Sequence, residues 1–339
     1  STILISTILL VAWALFFSLL AKHIRLVIFG SLLGSGLLFG ACFRFSQFSG
    51  NMVPLFEWRW AKRTLPTAEA QVARPSGELS LNPLAKLSFP QFLGPTRDCK
   101  TPGPELATDW KTNPPKEMWR QEIGAAWSGF VVSEHRAITQ EQRDENEVVS
   151  CYDLLTGKML WMQSNPGHYN TKIAGEGPRA TPAIHKDKVY ALGATGIFNC
   201  LELATGKPIW QRNIASDAGL KVDDEVDQTG ASKKRNKAKE WGYSSSPLIV
   251  EDRVIVSAGG EAGKSLLAYN LDTGKPVWSG GDSRAGYSSA CVATIHDEKQ
   301  ILIFNQDGLA AHESETGSVL WSFKWEAGVP HVSMPLALP

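Results

Sequence analysis

The sequence predicts an all-β protein built from repeated four-stranded units, preceded by two membrane-spanning helices. Three observations predict it: one phrase that occurs four times, a pair of β-rich runs before each copy, and two uncharged apolar runs at the N-terminus.

The phrase reads CYDLLTGKMLW (151–161), CLELATGKPIW (200–210), AYNLDTGKPVW (268–278) and AHESETGSVLW (311–321). Each copy has a small residue first, an acid or amide third (Asp153, Glu202, Asn270, Glu313), then Thr-Gly (Thr156-Gly157, Thr205-Gly206, Thr273-Gly274, Thr316-Gly317). A tryptophan follows four positions after the glycine: Trp161, Trp210, Trp278 and Trp321. The glycines are 49, 68 and 43 residues apart, spacings that signal a repeat architecture. Thr-Gly between two apolar runs reads as a hairpin turn, because glycine accepts positive φ and threonine bonds its own backbone. The tryptophan then opens the next strand as a flat ring able to pack on a neighbouring unit. Two further β-rich runs lie before each copy, for example 180–184 with 189–193 and 248–250 with 254–258. Four strands per unit is the size of a propeller blade.

The phrase resembles the tryptophan-docking motif of the PQQ-binding-like β-propeller repeat, found in quinoprotein alcohol dehydrogenases and in BamB-like assembly proteins. That resemblance implies a propeller over residues 89–339, with seven or eight blades when whole. It does not choose a function, because this fold hosts both catalysts and scaffolds.

From the N-terminus, residues 1–21 and 26–43 are uncharged, are separated by Lys22-His23-Ile24-Arg25, and are each long enough for a bilayer span. Residues 1–43 are therefore expected to form two transmembrane helices in contact with lipid. Residues 44–88 are expected to be an interfacial anchor, around Phe56-Glu57-Trp58-Arg59-Trp60, followed by a Pro- and Ala-rich linker. A basic 22–25 turn facing the cytoplasm places the propeller outside, on the periplasmic side of a bacterial inner membrane. Arg44, Arg59, Lys62 and Arg63 argue the other way by charge count, but three of them sit by Trp58 and Trp60, where long cations snorkel into either headgroup region.

Residues 90–110 are dense in Pro and Gly and resemble the lead-in of such propellers; Cys99 stands in them where a turn glycine would be comfortable. Residues 119–123 (WRQEI) look like an outer strand without inner partners, and 329–338 like the innermost strand of a further blade. Together with a start lacking Met, these read as a fragment of a longer chain. Residues 217–240 hold an acidic block followed by a basic one, which reads as a solvated loop.

With 34 basic and 34 acidic residues, nothing draws the chain to nucleic acid. The five cysteines show no CxxC and no adjacent pair, and the seven histidines no HExxH, so no metal or catalytic motif is visible. Cys151 and Cys200 occupy the first motif position as small buried residues. What recurs besides the motif is the start of each innermost strand. These starts converge at the mouth of a central channel, where Trp127, Ser128, Arg179, Tyr243, Ser244, Tyr287 and Ser288 are candidates for a small anionic or planar ligand. The expected function is a non-catalytic binding or assembly scaffold with protein partners on the propeller faces. The alternative is a membrane-bound PQQ-dependent dehydrogenase oxidising alcohols or sugars. The resemblance would then imply PQQ beside Ca²⁺ in the channel, but no matching set of acidic and amide calcium ligands is found.

Overall fold

The computed structural model describes residues 20–48, 53–61, 88–100, 108–171, 175–220, 241–260, 262–325 and 331–337. The chain divides into two compact units, residues 1–64 and 65–339.

The first unit contains helix α1 (Lys22–Cys42), which leads directly into a hairpin of β1 (Phe43–Phe48) and β2 (Pro54–Trp58). At about 1.5 Å per residue, α1 matches the roughly 30 Å hydrocarbon core of a bilayer. It is long and apolar enough to cross a membrane, and none of its residues is buried. The basic tetrapeptide 22–25 forms the first turn of this helix, and Arg25 Nε donates to the Leu20 carbonyl at 3.0 Å. The first apolar run, 1–19, lies outside the described residues. The aromatic segment is also a strand: Phe43 stacks on Phe39 and lies edge-on to Trp58. Arg59 closes the helix end, with N–H to Cys42 O at 2.9 Å and Nε to Gly40 O at 3.0 Å, where cations and donors satisfy the last carbonyls. The linker, 62–87, lies outside the described residues.

Among the described residues the second unit contains four antiparallel sheets of four or five strands, with neighbouring strands consecutive in sequence, and one two-stranded sheet. The first holds β3 (Ser88–Phe89), β4 (Val131–Ser133), β5 (Arg136–Arg143), β6 (Asn146–Asp153) and β7 (Met159–Pro166), followed by a small hairpin of β8 (Asn170–Thr171) and β9 (Gly175–Glu176). The second holds β10 (Ala183–His185), β11 (Lys188–Leu192), β12 (Ile197–Glu202) and β13 (Pro208–Asn213), with the single turn α2 (Ile214–Asp217) after it. The third holds β14 (Leu248–Val250), β15 (Arg253–Gly260), β16 (Lys264–Asn270) and β17 (Pro276–Gly280). The fourth holds β18 (Cys291–Ile295), β19 (Glu298–Asn305), β20 (Gly308–Glu313) and β21 (Val319–Lys324). These are the blades of a β-propeller.

The repeated phrase explains how successive blades are locked. In every blade its first residue pairs directly with its tryptophan: Cys151 with Trp161, Cys200 with Trp210, Ala268 with Trp278, Ala311 with Trp321. Only a small side chain there leaves the indole room to lie against the sheet. The third residue holds the turn, since Asp153 Oδ1 accepts Thr156 Oγ1 at 2.8 Å and Asn270 Oδ1 accepts Thr273 Oγ1 at 2.9 Å. The turn glycines, at φ 64–74°, lie under the indole of the preceding blade. A Cβ on Gly206 would meet Trp161 at 2.4 Å, and one on Gly274 would meet Trp210 at 2.6 Å. The indole N–H then reaches the carbonyl three residues before the glycine: Trp161 to Leu203 at 3.0 Å, Trp210 to Leu271 at 2.9 Å, Trp278 to Ser314 at 3.2 Å. Charges at the blade edges add a second link, Lys188 to Asp272 at 3.2 Å and Arg253 to Glu315 at 2.7 Å.

Trp119 docks in the same way, its indole over Gly157 and its N–H on Leu154 O at 2.8 Å, but the 119–123 segment joins no sheet. The expected outer strand is reduced to one bridge, Ala125 with Gln142. Residues 331–337 likewise form no strand, although Met334 packs on the fourth sheet and Cys291 Sγ donates to Pro335 O at 3.1 Å. Trp321, 37% exposed, bonds Gln300 within its own blade at 2.9 Å.

Apolar side chains fill the spaces between blades. The largest cluster, between the second and third sheets, gathers Tyr190, Phe198, Val254, Val256 and Tyr269 around Trp210. Burial of this kind pushes the Cys151 and Cys200 thiols up to about 12, so they serve as small packing groups.

Two buried titratable groups give stability opposite pH slopes. His312 is fully buried, with Nδ1 2.9 Å from Gly317 O, and burial lowers its pKa. Because the folded form resists the proton that the unfolded chain accepts near pH 6.5, this contribution is present above that pH and lost as pH falls below it. Glu147 behaves in the reverse sense. Burial raises its pKa against bonds from Ala194 N–H at 2.7 Å and from Thr195, so its contribution is lost as pH rises. Removing His312 alone, as His312→Gln, should therefore flatten the fall in thermal midpoint between pH 6.5 and 5.5. A slope identical to that of the wild type would contradict this.

Candidate functional site

The innermost strands begin at Val131, Ala183, Leu248 and Cys291. Two residues before each stands Gly129, Thr181, Ser246 or Ser289, and these four are joined from blade to blade. Gly129 N–H donates to Thr181 Oγ1 at 3.1 Å, Thr181 N–H to Ser246 Oγ at 3.0 Å, and Ser246 N–H to Ser289 Oγ at 2.9 Å. Each hydroxyl thus satisfies an amide that no strand pairs, as buried backbone groups require. Sequence reasoning missed this ladder. Its signal was there in Thr181-Pro182 and Ser246-Pro247, a hydroxyl and a proline just ahead of an inner strand.

Two residues further back, the same register aligns Trp127, Arg179, Ser244 and Tyr287. Trp127 N–H donates to Pro178 O, one residue before Arg179, at 2.9 Å, and Ser244 Oγ donates to Tyr287 O at 3.1 Å. Trp127 is the open member, 56% exposed. Arg179 lies 4.6 Å over the Tyr169 ring and donates to Gly175 O at 3.0 Å and to Gly177 O. Burial lowers its pKa, against the pull of Tyr169, Tyr287 and Glu147. Tyr287 is buried, stacked on Trp241 at 5.1 Å.

The other three candidates lie off this register. Ser128 accepts Thr139 Oγ1 at 3.3 Å, and Ser288, 1% exposed, donates to the neighbouring Ser289 O at 3.2 Å. Tyr243, 4% exposed, is in the core between the second and third sheets, below Gly196, and its hydroxyl has no partner among the described residues. The two serine-rich segments look alike in sequence, but strand register sets Ser244, not Tyr243, against Tyr287. Among the described residues no three His, Cys, Asp or Glu side chains are grouped as a cation's ligands would be, and none of the seven candidates is acidic.

Consecutive blades, joined by Trp161, Trp210 and Trp278 each seated on the next blade's Thr-Gly turn, define a propeller of PQQ-like repeats. The chain belongs to the family described as Outer membrane protein assembly factor BamB, which matches residues 101–232 and 225–328. Curated relatives include the Outer membrane protein assembly factor BamB of Moranella endobia (strain PCIT), 28% identical over 149 residues, 39% of this chain and 38% of that one. The protein of the same name from Burkholderia pseudomallei (strain K96243) is 25% identical over 169 residues, 44% of each chain. The matched region thus spans less than half the length of either relative. Similar solved structures include BamB from Moraxella catarrhalis, at 16% identity and TM-score 0.40, covering 60% of this chain and 50% of that one. Another is the quinohemoprotein alcohol dehydrogenase of Comamonas testosteroni, at 17% identity and TM-score 0.41, covering 61% of this chain and 36% of that one.

Proposed function

We propose that this chain is a membrane-tethered propeller that binds protein partners as a non-catalytic scaffold, on the periplasmic side of a bacterial inner membrane. The observation that carries the reading is how the polar groups at the strand entrances are used. Thr181, Ser246, Ser289, Ser244 and Arg179 are engaged with backbone of their own or a neighbouring blade, an arrangement that links blade to blade. The rim of the propeller supports the same reading. The residue before each docking tryptophan is aliphatic and open at all four equivalent places, Leu160 at 42%, Ile209 at 44%, Val277 at 46% and Leu320 at 42%. Repeated apolar positions on outer strands suit contact with another protein. The family name adds the kind of work, outer membrane protein assembly, and α1 supplies the tether.

In intact spheroplasts, added protease is expected to cut within 217–240 while the N-terminal helix survives. Protection of that segment until the membrane is lysed would place the propeller in the cytoplasm. Added PQQ and Ca²⁺ should give no saturable absorbance change and no dye reduction with alcohols or sugars; turnover would replace the scaffold reading with the dehydrogenase.

A further inference from the structure

Residues 88–100 do more than lead into the propeller. Their first two residues, β3, pair with β4 on the side away from β5, Ser88 with Ser133 and Phe89 with Val132. The next residue, Pro90, accepts the Ile184 N–H of β10 at 2.6 Å, and in its own sheet β10 is an edge strand. Arg97 then reaches the third sheet just ahead of β14, donating to Pro247 O at 2.9 Å and Ser246 O at 3.4 Å. Its guanidinium is also within electrostatic reach of the Cys291 thiol, the first residue of β18. One short segment therefore bonds the innermost strands of the first two blades and the lead-in to that of the third, and brings its cation within electrostatic reach of the fourth.

The segment is also held in an unusual backbone. Leu93, Arg97 and Cys99 all take positive φ, at 62°, 56° and 61°, which L side chains adopt only where surroundings enforce it. Arg97 is 4% exposed, carries a bond to Gln91 Oε1 at 3.4 Å, and lies 5.9 Å over Phe92. Burial lowers its pKa to about 10, so the cation stays charged at neutral pH.

The physical need is plain. The innermost strand of a blade has one edge facing the axis, and unpaired edge amides and carbonyls are costly when shut from water. We infer that residues 88–100 form an axial strap that caps these inner edges, with Arg97 as its pin, so that the chain itself occupies the propeller axis. Partners then meet the propeller on its faces and rim, not through its axis. This inference stands independently of the scaffold reading.

The test uses Cys291, 7% exposed, as a reporter against the exposed Cys99 in the same full chain. In the wild type, alkylation followed by mass spectrometry should label Cys99 and spare Cys291. Arg97→Met keeps the length of the side chain and removes its donors. It should speed labelling of Cys291 at least tenfold and raise amide exchange in β10 and β14, while β13 and β17 stay as before; Arg97→Lys should restore part of the protection. Unchanged Cys291 labelling overturns the inference, and so does faster exchange of inner and outer strands together, or failure to fold, since Arg97 would then be an ordinary core residue. A second measurement does not depend on that variant. With a specific protease site placed in 101–107 and cut, the fragment carrying the strap should still co-elute with the propeller; its release from the wild-type sequence overturns the inference.

Discussion

Replacing Trp210 by alanine is expected to lower stability by about 3–5 kcal/mol, the usual cost of deleting a large buried aromatic. The indole is the centre of the largest interblade cluster, 5.3 Å from Phe198, 6.0 Å from Tyr190 and 6.4 Å from Tyr269 between ring centres. Its removal also takes away the shorter of two bonds to the Leu271 carbonyl, leaving that from Tyr190 OH at 3.2 Å, and leaves the turn at Gly274 uncovered. Lys207→Ala, exposed beside the turn of the same blade, should stay within about 0.5 kcal/mol. A urea titration separates the two, and equal losses would mean that Trp210 is not a docking residue.

The second large effect is expected at Glu141. This carboxylate is fully buried in the first blade and accepts from Tyr152 OH at 2.8 Å, Arg143 Nη2 at 3.1 Å, Ser150 Oγ and the Gly124 N–H. Breaking a buried, hydrogen-bonded ion pair from one side costs about 3–5 kcal/mol, because the remaining partners stay buried without it. Glu141→Ala should fall in that range in the same titration. A triple variant that also replaces Arg143 and Tyr152 with apolar residues should recover part of the loss. A loss from Glu141→Ala below about 1 kcal/mol would show that water replaces the carboxylate, contrary to its burial.

The propeller blades were legible because the phrase encodes a local turn and a long-range contact together. Thr-Gly sets the hairpin, and the tryptophan four residues on sets what packs against the next hairpin. The first-position preference, Cys or Ala, could be read as a small buried residue, but its reason, a partner directly opposite the indole, needed the strand register. Trp119 shows the limit of pattern reading. It docks as the motif tryptophans do, yet its neighbours have no strand to pair with, so similarity of five residues overstated a strand. At the N-terminus, composition marked an apolar run correctly, but the charged 22–25 segment is compatible with a helical turn as well as a loop, and its charge alone did not distinguish them.

The entrance residues were only partly legible. Trp127, Arg179, Ser244 and Tyr287 share a level, but two look-alike serine runs hid a one-residue offset that placed Tyr243 in the core. Arg97 carried no signal. A single arginine among Pro, Gly and Thr reads as a surface turn, and only the fold brings it to carbonyls about 150 residues later in the chain.

The central claim, that the indoles of Trp161, Trp210 and Trp278 are seated on the next blade's glycine, is tested most directly by a double-mutant cycle between Trp210 and Gly274. Gly274→Ala alone meets both a positive φ of 64° and the indole at 2.6 Å, for a combined cost of about 2–4 kcal/mol. With Trp210→Ala already in place, only the backbone cost of about 1–2 kcal/mol should remain. The account predicts a coupling of at least about 1 kcal/mol; losses that add to within about 0.5 kcal/mol would contradict it.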